Sequence, residues 1–79
     1  MITVLFFGPV AERVGASRLE IEFQPGMRLQ DVQAQLQPRY PEAFELVSIA
    51  AVNGEHVRDR SVVLTDNSEV VFMSKFSGG

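Results

Sequence analysis

Arg18-Leu19-Glu20-Ile21-Glu22-Phe23-Gln24 runs into Pro25-Gly26, and from Leu29 onward the apolar residues recur at Leu29, Val32, Leu36 and Tyr40. The hydrophobic period changes within this one stretch. In its first half Leu19, Ile21 and Phe23 alternate with Arg18, Glu20, Glu22 and Gln24, which predicts a half-buried strand with its charges outward. Pro25-Gly26 suits the two central positions of a type II turn. The second half carries one apolar stripe at helical spacing, with Gln30, Gln33, Gln35 and Gln37 off it and facing water. Pro38 removes a backbone donor, so the helix should end within a residue or two of it.

Upstream, Ile2 to Phe7 is apolar on both alternating sets: Ile2, Val4 and Phe6 on one, Leu5 and Phe7 on the other. Such a strand belongs inside a sheet rather than at its edge. Gly8-Pro9 ends it, and Pro9 to Val14 reads as a short helix capped by Gly15. Downstream, Pro41 to Val47 could hold a helical turn anchored by Phe44. Ser48 to Val52 is a β run, Asn53-Gly54 marks a hairpin, and Glu55-His56-Val57 is its brief return strand. Val62, Val63 and Leu64 are a further apolar insertion before the turn cluster Thr65-Asp66-Asn67-Ser68. Glu69 to Met73 is the last strand.

The order predicts an α+β domain: a mixed sheet of about five strands packed on one main helix. One helix covers one face. The other face, to which Leu5 and Phe7 belong, is a candidate docking surface.

The chain has 79 residues, a formal net charge of −3 and no cysteine. That length fits one domain, residues 1–79, with a tail from about residue 74. Without cysteine there is no disulfide, no thiolate nucleophile and no cysteine-based metal site, and a cytoplasmic setting fits best. No apolar run is long enough to span a bilayer, and Met1-Ile2-Thr3-Val4 lacks the basic start of a signal peptide. The mild negative charge and the lack of a basic patch argue against a nucleic-acid partner.

The final strand leads into Ser74-Lys75-Phe76-Ser77 and then Gly78-Gly79 at the C-terminus. Two glycines contribute no side chain, so chemistry there belongs to the backbone and its α-carboxylate, and such a tail can enter a narrow channel. Alone, the pair would read as a frayed end.

The opening Ile2-Thr3-Val4-Leu5-Phe6-Phe7-Gly8, the segment Val10-Ala11-Glu12-Arg13-Val14-Gly15 and the central Ala51-Val52-Asn53-Gly54 resemble the small subunit of molybdopterin synthase, a MoaD/ThiS-like family. Leu64-Thr65-Asp66, Glu69-Val70, Phe72 and the ending Ser77-Gly78-Gly79 extend the resemblance over the whole chain. It implies a ubiquitin-like β-grasp fold. It also implies that the Gly79 carboxylate is adenylated by a partner enzyme using ATP and magnesium, then converted to a thiocarboxylate. The tail would next enter the large synthase subunit and pass its sulfur to the pterin precursor of the molybdenum cofactor. Adenylation supplies the leaving group that a bare carboxylate lacks. On this reading the chain binds no cofactor or metal and is not catalytic alone. Gly78 and Gly79 are its reactive end, and Lys75, Phe76, Ser77, Leu5 and Phe7 contact partners.

Two positions depart from the family pattern. Ser74-Lys75 stands where many relatives carry two prolines, which would stiffen the exit. Arg28 stands where a relative would place Thr or Ser to cap the long helix, with an expected loss of roughly 1 kcal/mol. Other readings remain: a carrier feeding thiamine or cysteine biosynthesis, a ubiquitin-like modifier joined to lysines, or a plain interaction module. His56 reads as solvated, Glu20 and Glu22 as an outward charged set, and Asp66 and Glu69 as turn residues.

Overall fold

In a computed structural model, residues 1–75 are described. The chain runs β1 (Ile2–Phe6), α1 (Gly8–Val14), β2 (Arg18–Ile21), α2 (Leu29–Leu36), α3 (Pro41–Leu46), β3 (Ile49–Val52), β4 (Glu55–Val57) and β5 (Glu69–Met73). The strands form one sheet in the order β2-β1-β5-β3-β4. The β1–β5 pair is parallel and the other pairs are antiparallel. This mixed sheet with its crossing helix is the expected α+β, β-grasp arrangement.

Register assigns the two faces. Val4 pairs with Val70 and with Leu19, Phe6 with Phe72, and Phe72 with Ala50. Partners directly opposed share a face, so Ile2, Val4, Phe6, Val70, Phe72 and Ala50 line the side on which the helices pack. There they meet Leu29, Val32 and Leu36, the buried stripe of α2. Phe6, Phe44 and Phe72 form an aromatic cluster, with Phe44 edge-on to Phe72 at a centroid distance of 5.1 Å. Phe44 thus anchors α3.

The turns follow their residue types. Met27 N–H donates to Gln24 C=O at 3.0 Å across Pro25-Gly26, and Gly26 takes φ 84. Asn53 (φ 50) and Gly54 (φ 85) form the type I′ turn that joins β3 to β4. The Asn53 side chain does more than turn the chain, because its Oδ1 accepts the Glu69 N–H at 2.8 Å. That bond ties the hairpin to the start of β5.

Two expectations are corrected. The second strand stops at Ile21 rather than Gln24, because Ile21 pairs with Ile2, where β1 itself begins. Beyond it no partner strand remains, although Phe23 still packs half-buried on the core. The start of α2 is also better satisfied than Arg28 suggested. Asp31 accepts the Arg28 N–H at 2.8 Å, Leu29 N–H donates to Val62 C=O, and Gln30 N–H donates to Arg60 C=O. The loop around residues 60–62 supplies the acceptors that a capping side chain would have offered. Arg28 in turn donates through Nη1 to Ser61 C=O at 2.7 Å and holds that loop in place.

Candidate functional site

The last strand among the described residues, β5, is the middle strand of the sheet, so Ser74 and Lys75 leave from the sheet's centre. Ser48 N–H donates to Met73 C=O at 3.1 Å, which extends the pairing to the strand's end. Ser74 is only 7% exposed and belongs to the folded body, whereas Lys75 is exposed. Phe76, Ser77, Gly78 and Gly79 lie outside the described residues.

Beside this exit is a groove of about 320 Å³, lined by Pro9, Leu46 and Val47 with Glu45 and Ser48, and closed by Ser74 and Lys75. Pro9 comes from the first turn of α1, and Leu46 and Val47 from the end of α3. A more open depression of about 380 Å³ lies at the β2–α2 turn, against Gln24, Met27, Asp31 and Gln35. Its single carboxylate, Asp31, is already committed to the Arg28 N–H.

The face away from the helices carries Leu5 of β1, Val71 and Met73 of β5, and Ile49 and Ala51 of β3, placed side by side by the register. Phe7 has extended dihedrals (φ −127, ψ 152), so it continues the alternation and projects on the same side as Leu5. Leu5 is half-buried and Phe7 is 48% exposed. The structure thus places Leu5 and Phe7 on one apolar surface that no helix covers. Ile49 and Met73, half-buried, and Ala51 and Val71, themselves buried, continue the row and were not singled out in the sequence. Their odd-numbered alternation was the available signal, but only strand order shows that β5 lies between β1 and β3. Charges rim the patch, with Arg18 and Glu20 paired at 3.0 Å along β2 and His56 exposed on β4.

The polar side chains of the groove are those of Glu45, Ser48, Ser74 and Lys75. Among the described residues no three His, Cys, Asp or Glu side chains gather as a metal-binding group. Asp66 sits in its turn with its carboxylate on the Met1 ammonium at 2.7 Å. That hydrogen bond holds its pKa below the ordinary carboxylate value. Asp59 is lowered likewise, by the Ser61 hydroxyl first and the Ser61 N–H second. Both are exposed structural contacts. No helix is long and apolar enough to cross a membrane among the described residues.

Comparisons with known proteins agree with this anatomy. The chain superposes on SAMP1 from Haloferax volcanii with a TM-score of 0.81 at 17% identity, covering 99% of this chain and 98% of that one. It superposes on a putative molybdopterin converting factor subunit 1 from Pyrococcus furiosus with a TM-score of 0.80 at 24% identity, covering 92% and 94%. A complex of subunits 1 and 2 of the molybdopterin-converting factor from Helicobacter pylori gives 0.75 at 21% identity, covering 99% and 97%. Among curated proteins none matches. These likenesses fix the fold, and the ThiS family model matches residues 4–79, nearly the full length, so the chain belongs to the ThiS family.

Proposed function

We propose that this chain is a sulfur carrier of molybdopterin synthesis, loaded as a thiocarboxylate on Gly79. The observation that carries the reading is the family match, which runs through residue 79 and so takes in the Gly78-Gly79 end. The anatomy supports it. The central strand of the sheet leads the chain to Lys75, and Phe7 stands exposed on the face that no helix covers. A carrier needs a recognisable body and an accessible end, while acids, bases and oxyanion donors come from its partners.

Two partners are implied. An adenylating enzyme uses ATP and magnesium to join AMP to the Gly79 carboxylate, and a sulfur nucleophile then displaces AMP. The large synthase subunit next receives the tail. The Helicobacter pylori likeness, a complex of both subunits, supports that second partner. Leu5 and Phe7 on the open face, with Lys75, Phe76 and Ser77 along the tail, are the contacts this model assigns to them. The pterin route is preferred over a thiamine carrier because of the Phe6-Phe7 opening and the Ser77-Gly78-Gly79 ending. A ubiquitin-like modifier is the second reading, favoured by the likeness to SAMP1.

The test is intact mass after incubation with ATP, magnesium, a sulfide source and the host's activating enzyme. Replacement of one oxygen by sulfur, lost when Gly79 is deleted, is the expected result. An unchanged mass, with the enzyme active on another carrier, defeats the sulfur reading. High-mass conjugates in cells would instead favour the modifier.

A further inference from the structure

β2 is an outer strand of the sheet, with β1 on one side of it and no strand on the other. Phe6 N–H donates to Ser17 C=O at 2.9 Å. Antiparallel bonds recur at every second residue, so Leu19 and Ile21 exchange theirs with Val4 and Ile2, their register partners. The N–H and C=O groups of Arg18 and Glu20 consequently point outward, away from β1. Neither a proline nor a bulge interrupts Arg18 to Ile21, so the backbone of this edge is open to a further strand.

Charges usually protect such an edge. Here the two are opposite in sign, two residues apart and on one face, since Arg18 opposes Leu5 and Glu20 opposes Thr3. They pair with each other at 3.0 Å, and their side chains are 62% and 49% exposed. A two-fold axis at Leu19 makes that arrangement complementary to itself. Run antiparallel against a second copy, Arg18 meets the second copy's Glu20, and Glu20 meets its Arg18. Both residues have outward main-chain groups, so each such pair exchanges two main-chain bonds. Leu19 falls opposite Leu19 in the closely spaced type of pair, where two half-buried leucines cover each other.

Other registers fail. A slip of one residue sets outward backbone groups against inward ones, and centring on Arg18 or Glu20 sets like charges opposite each other. The other outer strand, β4, has three residues. Only His56, at its middle, points outward, so two-fold pairing there would set His56 against itself.

We propose that the β2 edge is a self-docking site, at which two copies of this chain join their sheets through Arg18, Leu19 and Glu20. The two-fold runs perpendicular to the sheet, so the open faces of both copies lie on the same side. The two β1 strands stand three strand spacings apart, about 14 Å, and Leu5 and Phe7 of both copies share one surface. The contact is small beside a standard interface, so pairing depends on concentration and the dilute chain is monomeric. It is independent of the chemistry read for Gly79.

The test follows the full chain from micromolar to millimolar concentration by sedimentation velocity and amide NMR. The expected result is a reversible monomer–dimer equilibrium. Hydrogen exchange at the Arg18 and Glu20 amides should slow as concentration rises, while Leu19, already bonded to β1, should not change. Arg18→Glu and Glu20→Arg each set like charges across the axis, and each should stay monomeric with the parent's circular dichroism. Mixed in equal amounts, the two variants restore opposite charges at both pairs and should form a heterodimer. A parent that stays monomeric at millimolar concentration overturns the proposal. So does a dimer that persists in both variants, a dimer lost on Phe7→Ser, or a mixture that stays monomeric.

Discussion

Asp31 accepts the backbone N–H of Arg28 at 2.8 Å, so a carboxylate in the first turn of α2 satisfies the donor of the residue before the helix. Replacing it with alanine should cost about 1 kcal/mol, within the usual range for a lost helix cap. Urea unfolding of Asp31→Ala would read this as a lowered midpoint with an unchanged slope. Arg28→Ala should instead free the loop around Ser61, with slower-exchanging Leu29 and Gln30 amides losing protection.

The aromatic cluster carries more. Phe72 is fully buried, stacks on Phe6 at 6.3 Å and meets Phe44 edge-on. Phe72→Ala should cost about 3–5 kcal/mol. In a domain of this size that approaches the whole stability, so the variant should lack a cooperative thermal transition by circular dichroism.

Asn53 serves both the hairpin and β5. Asn53→Gly keeps a residue suited to positive φ but removes the acceptor for Glu69 N–H, and should lose about 0.5–1.5 kcal/mol. Gly54→Ala forces φ 85 on an alanine, with a loss of roughly 1–2 kcal/mol. A Gly54→Ala chain as stable as its parent in urea would contradict the turn assignment.

The Asp66–Met1 contact sets a pH dependence. The folded-state pKa of Asp66 lies below its ordinary 3.8, chiefly through the hydrogen bond from the N-terminal ammonium. A lowered carboxylate pKa stabilises the fold above the unfolded value, and the gain is lost as pH falls through the folded value. Stability should therefore sag below pH 3.8, and Asp66→Asn should flatten that sag. The group is fully exposed, so added salt should also weaken the effect. Midpoints at acid and neutral pH, for both proteins, check the sign.

Phe7 separates fold from docking. At 48% exposure it contributes little to the core, so Phe7→Ser should shift stability within about 0.5 kcal/mol. Under the proposed function, association with the large synthase subunit should weaken measurably by calorimetry. Equal affinity would remove Phe7 from the docking surface.

Much of this architecture was legible in the chain because local rules and the fold agree. The alternation at Leu19, Ile21 and Phe23, the stripe at Leu29, Val32 and Leu36, and Asn53-Gly54 each have one satisfactory conformation. What stayed hidden depends on distant partners. The end of β2 is set by where β1 begins, which no residue near Gln24 reveals. The cap of α2 is completed by carbonyls at Arg60 and Val62, far along the chain. Leu5 and Phe7 were readable as one side of a strand, but their neighbours Val71 and Ala51 required the strand order.

The position of β5 has a last consequence. The strand made last during synthesis sits at the centre of the sheet, between the first strand and the hairpin. A nascent chain still missing that strand cannot zip β1 to β3, and its Phe6 and Phe44 lack the third ring of their cluster. Folding of the sheet is thus deferred until β5 itself has emerged from the ribosome, and a chain cut short before that strand would remain an unfolded fragment open to proteolysis.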